Sequence, residues 1–356
     1  MNKDKDVKSS LFIFILIGLF LLICFSICFS VSVGQVEIPL RESYTIIINK
    51  LSNGQLGDLT NIGQNYINII WQIRFPRVLM AILIGAGLAI SGTVMQATVQ
   101  NPLADPYLLG ISSGASLGAT FSILIGFGSF GMFSNLGVSF GAFLGAFVAS
   151  MLVLTLSSLG GKMTSIKLVL SGMVVNALFS AFSNFIVYFA NDAEGIKSVT
   201  FWTMGSLASA SWEDLPLVLF VVLFASFIFI IQSRILNTML LGDETAITLG
   251  IDLSKYRAIY MIFTSLLTGI LVASCGMIGF VGLIIPHVVR GFVGADHRKL
   301  IPIVILCGGL FLIWCDVFSR IIIDNSELPI GIITSMIGAP MFIYMLIKKG
   351  YGFGSK

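Results

Sequence analysis

Few side chains in this 356-residue sequence are equipped for chemistry, and their spacing narrows what that chemistry can be. His287 and His297 are its only histidines, and the cysteines Cys24, Cys28, Cys275, Cys307 and Cys315 all fall inside apolar runs. That pattern suits neither a disulfide framework nor a metal site, so no metal is expected and the cysteines read as packing residues. The nucleotide-binding pattern G-x-x-x-x-G-K-[ST] is missing as well. Its nearest approach, Gly160-Gly161-Lys162-Met163, lacks the leading glycine and the hydroxyl residue after the lysine, so the chain is not expected to bind ATP. Asp316 is almost the only carboxylate within an apolar stretch, and Arg320 follows it by one helical turn, a spacing for local pairing. An enzyme is not indicated, and an ion-coupled carrier would need more ionisable groups inside its spans.

The elements that must position these residues belong to a membrane. Hydrophobic residues make up 56% of the chain and charged residues 10%, and the mean hydropathy is +1.00. Seventeen acids and 20 bases cannot coat a water-soluble globule of this size. A net charge of +3 is too small and dispersed to suggest nucleic acid as a partner; membrane lipid is the expected one. Stretches without Asp, Glu, Lys or Arg cover 9–36, 78–104, 106–161, 168–191, 215–233, 258–289, 301–315 and 328–347. A helix needs about 20 apolar residues to cross ~30 Å of hydrocarbon. Two of the runs are too long for one crossing. The run 106–161 divides at the Gly, Ser and Asn residues of 126–137, and 258–289 reads as a full span followed by a short, broken return segment at Gly276, Gly279, Gly282 and Pro286.

The fold class expected is all-α, with about ten transmembrane helices that include broken and short ones. The run 9–36 exceeds a signal-peptide core and lacks a small-residue cleavage site, so it counts as a span. Segments expected in contact with one side carry 14 of the 20 Lys and Arg, among them Lys162, Arg234, Arg257, Arg290 and the C-terminal lysines. That side is expected to be cytoplasmic, with both termini on it, in a multi-pass protein of the cell membrane. The polar stretches 35–77, 192–214 and 234–257 are each loop-sized, too small for a soluble domain. Residues 1–65 are then a first span with an external loop, and 66–350 the rest of a single transmembrane domain.

Four blocks carry the information. The segment 74–119 opens on Arg74-Phe75-Pro76-Arg77 and runs through a glycine-rich span to Gln96. There Asn101-Pro102-Leu103-Ala104-Asp105-Pro106 forms a tight turn, since Asn and Asp hydrogen-bond their own backbone and the prolines fix it. Small residues recur at fourth positions (Gly85, Ala89; Gly110, Gly114, Gly118; Gly137, Gly141, Gly145), a pattern for close helix packing in lipid. In the second block, 234–257, Asp243 is expected to cap a short helix that Gly250 ends, giving either a docking surface or a solvated loop. The third, 276–302, places His287 after Pro286 as a gate, a ligand or a satisfied bundle residue. The fourth, 327–349, has Pro329 at a helix start and Gly338-Ala339-Pro340 as a kink.

In this order the blocks resemble the FecCD family, the permeases of binding-protein-dependent ATP-binding cassette importers for iron chelates, haem and cobalamin. The similarity covers roughly residues 70–350, at Arg74, Pro76, Arg77, Gln96, Asn101 to Pro106, Leu109-Gly110, Leu249-Gly250, Phe280 to Leu283, Pro286-His287, Arg290, Glu327, Pro329, Gly331 and Gly338 to Pro340. The resemblance implies ten spans, a second permease copy or sister permease, two ATP-binding subunits that use ATP and Mg, and an extracytoplasmic substrate-binding protein. It implies a coupling segment, 242–252, seated in the ATPase, with Leu241, Gly242, Asp243, Glu244, Ala246, Leu249, Gly250 and Asp252 as contact candidates. It implies that Arg74, Arg77 and Arg320, on the side where bases are scarce, receive glutamates of the binding protein. Gln96, Asn101, Pro102, Asp105, Pro106, Pro286, His287 and Arg290 are turn and gate candidates. The cargo expected is a ferric siderophore, with haem or cobalamin as the alternative within the family; a secondary transporter or channel is the alternative outside it.

Overall fold

The computed structural model describes residues 2–126, 137–159, 161 and 163–348, and these residues are built from helices. The turn expected at 126–137 therefore lies largely outside the described residues, as do Lys162, Lys349 and Lys356 of the charge count. Six helices are long and apolar enough to cross a membrane: α1 (Asn2–Ser32), α4 (Phe75–Val99), α6 (Val138–Ser158), α7 (Ser165–Phe189), α12 (Leu253–Cys275) and α14 (His297–Ile321). The pair α9 (Leu215–Ile231) and α10 (Ser233–Met239), bent by 64° at Gln232, is long and apolar enough for a seventh if it acts as one broken span. Three shorter apolar helices, α5 (Ile111–Leu124), α13 (Val281–Val293) and α15 (Ile330–Lys348), complete the ten segments expected from the sequence.

The polar stretches between the apolar runs hold short helices of their own. Residues 35–77 contain α2 (Leu40–Leu51), α3 (Gln64–Asn68) and a π-helical segment (Ile69–Arg74) continuous with α4. Residues 192–214 contain α8 (Ala193–Thr203), whose first turn is closed by Asp192 accepting from the Gly195 amide at 2.9 Å. The charges of these helices concealed them. Yet α2 buries Ser43, Ile46 and Ile47 on one stripe, the spacing of a helix lying on the bundle. The coupling segment also starts one residue earlier than expected: α11 (Asp243–Thr248) has Gly242, at φ +91°, in the cap position and Asp243 inside its first turn.

Two buried clusters hold the helices together. One joins α1, α4, α9, α10, α12, α13 and α14, and the other α5, α6 and α7 with parts of α4 and α12. The small-residue stripes act where expected: a side chain on Gly85 would overlap the Gly308 backbone, and one on Gly118 the Gly141 backbone. The two outer members behave differently, since Gly110 is a left-handed cap (φ +70°) and Gly137 meets nothing within 4 Å. The break between α12 and α13 is real and spans 276–280. Here three distant segments are sewn together by backbone hydrogen bonds. The Ile330 and Gly331 amides donate to Gly205 and Met204 at 3.1 Å, and the Ser206 amide donates to Cys275 at 2.8 Å. The helix α15 follows Pro329 directly and continues through Pro340.

Candidate functional site

The three arginines expected to meet the binding protein form the floor of a buried network. Arg74, Arg77 and Arg320 are 6, 4 and 4% exposed, and Asp316 is fully buried. Arg77 donates from Nε to Asp316 at 2.7 Å and from a terminal nitrogen to Glu327 at 2.8 Å. Arg320 pairs with the other Asp316 oxygen at 3.1 Å, so the turn-spaced pair seen in the sequence is one arm of a larger cluster. Both remaining guanidiniums close the end of α1. Arg74 donates to the Val31, Ser32 and Val36 carbonyls, and Arg320 to those of Ser30 and Val33 and to the Ser30 hydroxyl. A helix leaves its last carbonyls without amide partners, and in lipid that deficit must be met by other donors. This need turns the arginines inward.

Gln96, Pro286 and Arg290 of the gate candidates come together. A proline lacks the amide that would bond the carbonyl one turn earlier, here that of Gly282. Gln96 lies within reach of that carbonyl at 3.4 Å, donates to that of Leu283 at 3.2 Å, and accepts from Arg290 at 2.9 Å. The broken helix α13 is thus fastened to α4, where Gly92 and Gly282 touch backbone to backbone. His287 lies elsewhere, beside a cavity of about 420 Å³ with Phe292, Met341, Tyr344 and Met345.

The turn after α4 follows its predicted chemistry. Asn101 accepts from the Leu103 amide at 2.9 Å, and Pro102 sits between them. Asp105 accepts from the Tyr107 amide at 2.8 Å and opens a 3-10 turn, Pro106–Leu109. Burial pushes the Asp105 carboxyl up to about 6. Tyr107 both donates to the Ile278 carbonyl at 3.1 Å and accepts from its amide at 3.2 Å, tying this turn to the α12–α13 break.

Two adjoining cavities share Tyr107 and Gly279, and together they form a trough. One, of about 350 Å³, is lined by Asp105, Leu108, Met173, Asn176, Phe280 and Leu283 among others. The other, of about 480 Å³, presents Ser112, Thr203, Met204, Met277, Ser335 and Met336. Sequence reasoning missed these methionines and hydroxyls. They come from α5, α7, α8, α15 and the break, and nothing local marks them.

At the end of the bundle remote from the arginines, α11 and its flanks hold out Leu241, Ile247 and Leu249, which are 59, 64 and 60% exposed. Ala246 is buried and anchors it, and Glu244, Gly250 and Asp252 are exposed beside it. Gly250, at φ +73°, ends the helix while the Gly250 and Ile251 amides return to Ile247 and Ala246, both at 2.9 Å. The helix is tied to the bundle through α10. Asn237 accepts from the His297 amide at 2.9 Å, lies 2.7 Å from its ring nitrogen, and donates to Asp296 at 2.7 Å. Burial pushes the Asp296 carboxyl up, but hydrogen bonds from Asn237 and the Arg298 amide outweigh it and hold the group below the usual range.

Comparison with known proteins agrees with this architecture. The FecCD transport family model matches residues 20–348. The haemin transport system permease protein HmuU of Yersinia pestis is 38% identical over 282 residues, covering 79% of this chain and 84% of HmuU. The molybdate import system permease protein MolB of Haemophilus influenzae is 34% identical over 338 residues, covering 95% of this chain and 96% of MolB. A solved structure described as a metal-chelate type ABC transporter in an inward-facing conformation superposes with a TM-score of 0.79 at 33% identity, over 94% of this chain and 99% of the other. A broken-helix bundle matching that family over nearly its whole length belongs to the FecCD transport family, as a multi-pass permease of the cytoplasmic membrane and a transport component, not an enzyme.

Proposed function

We propose that this chain carries an iron chelate, a ferric siderophore complex by preference, across the cytoplasmic membrane by ATP-driven alternating access. The observation behind this reading is the trough. Methionine is flexible and polarisable, and hydroxyls offer adaptable hydrogen bonds, so such a wall receives a bulky cargo without holding it tightly. A path that bound tightly would slow release. Haem and cobalamin are the alternative cargoes within the family.

In this reading a second copy or sister permease closes the open face, and the end bearing α11 is cytoplasmic. There Leu241, Ile247 and Leu249 seat in one of two ATPase subunits, and ATP and Mg are bound by those subunits. The binding protein docks at the opposite end, where Arg74, Arg77 and Arg320 receive acidic side chains once Glu327 or 30–36 has moved. A secondary carrier is the competing reading. The test is reconstitution: liposomes with the chain, its ATPase and binding protein should accumulate iron-55 siderophore in a vanadate-sensitive manner. Uphill uptake by the chain alone would overturn the assignment.

A further inference from the structure

We infer that Asp105 is the charge-selective residue of the path, a carboxylate that keeps small anions out of the trough while admitting bulky, charge-poor chelates. This rests on the trough being part of the path, and it specifies what the trough accepts. Among the residues lining the two adjoining cavities there is no Lys, Arg, His or Glu, and Asp105 is the one that carries a formal charge. Its position is fixed. One carboxylate oxygen is held by the Tyr107 amide at 2.8 Å, and Tyr107 is in turn clamped to both backbone groups of Ile278. The neighbouring walls, Leu108, Met173, Phe280 and Leu283, are apolar and leave its field weakly screened. At an effective dielectric near 20, a unit charge about 6 Å away alters the local concentration of a monovalent anion on the order of 100-fold.

The consequence concerns cargo. A relative named for molybdate import shares 34% identity along nearly the whole chain, so the family scaffold is no guide to cargo charge. In this chain an oxyanion would meet a fixed negative charge with no cation beside it in either cavity. A metal wrapped in an organic chelator spreads or cancels its charge and offers apolar surface to the methionines. A second copy of the chain would bring a second carboxylate and strengthen the filter.

The test uses the assembled importer in lipid nanodiscs at pH 8, where the carboxyl is ionised. Asn176, which lines the same cavity, is replaced (N176C), and labelling of residue 176 by a cationic or an anionic methanethiosulfonate is followed by mass spectrometry, with the native cysteines retained. The cation-to-anion rate ratio should fall about fivefold or more when D105N is added, stay high with D105E, and invert with D105K. A ratio indifferent to all three changes overturns the filter and leaves the path intact. If neither reagent labels residue 176 while both label a Q55C control in the exposed stretch after α2, the trough is closed to water, and the path reading falls together with the filter.

Discussion

Arg77 does the work that its position at the head of α4 made easy to misjudge. Its neighbour Asp316 is fully buried, and breaking such a pair by removing one partner strands a charge at a cost of roughly 3–5 kcal/mol. Glu327, 41% exposed at its side chain, loses much of its attraction to solvent screening and contributes under about 1 kcal/mol. We therefore expect Arg77→Ala to lower the melting temperature of the purified protein far more than Glu327→Gln does. Equal effects in a thermal-shift measurement would contradict the burial argument. The same logic limits the use of arginine substitutions as probes of docking, since a lost contact and a loosened fold would look alike. Glu327→Gln avoids that confusion: by weakening the internal competitor for Arg77 it should raise binding-protein affinity severalfold, read by surface plasmon resonance.

Helix α11 shows how little structure a coupling contact needs. It is six residues long, ends in a left-handed glycine, and leans on one buried alanine. Leu249→Asp removes exposed apolar area and touches no internal contact of the core. The chain should remain folded while the ATPase no longer co-purifies, or co-purifies without uptake; normal uptake would refute the coupling role. The α5–α6 contact makes the opposite prediction. Gly118→Val would drive a branched side chain into the Gly141 backbone, so α5 and α6 would have to separate, and little folded protein should be recovered by gel filtration.

For the molecule as a whole, the sealed and open parts divide the labour. One cluster packs α1, α4, α9, α12 and α14 around buried charges, while α7, α13 and α15 leave a trough along their exposed side. The clasp of Ile330 and Gly331 on Gly205 and Met204 joins α8 to α15 at the trough, which Met204 and Gly331 both line. Substitution of Gly331 by valine would overlap the Met204 carbonyl and should abolish vanadate-sensitive uptake even if the complex assembles. Uptake at the parent rate would show that the clasp does not carry the motion.

The count of ten segments, the broken return after Cys275, the Asn101–Asp105 turn and the close-packed glycine faces were all legible in the sequence. Each depends on residues within a few turns of one another, where apolar run length, turn chemistry and fourth-position spacing act directly. The helices of 35–77 and 192–214 escaped because a charged helix lying on a bundle lacks the long apolar run that marks a span. What only the tertiary structure decided is which polar groups meet. Asp316 finds Arg77 across 239 positions, and Gln96 finds the carbonyl that Pro286 leaves bare across 186. In lipid every buried donor and acceptor must find its partner inside the protein, and that pairing is settled only when helices far apart in the chain come to rest side by side.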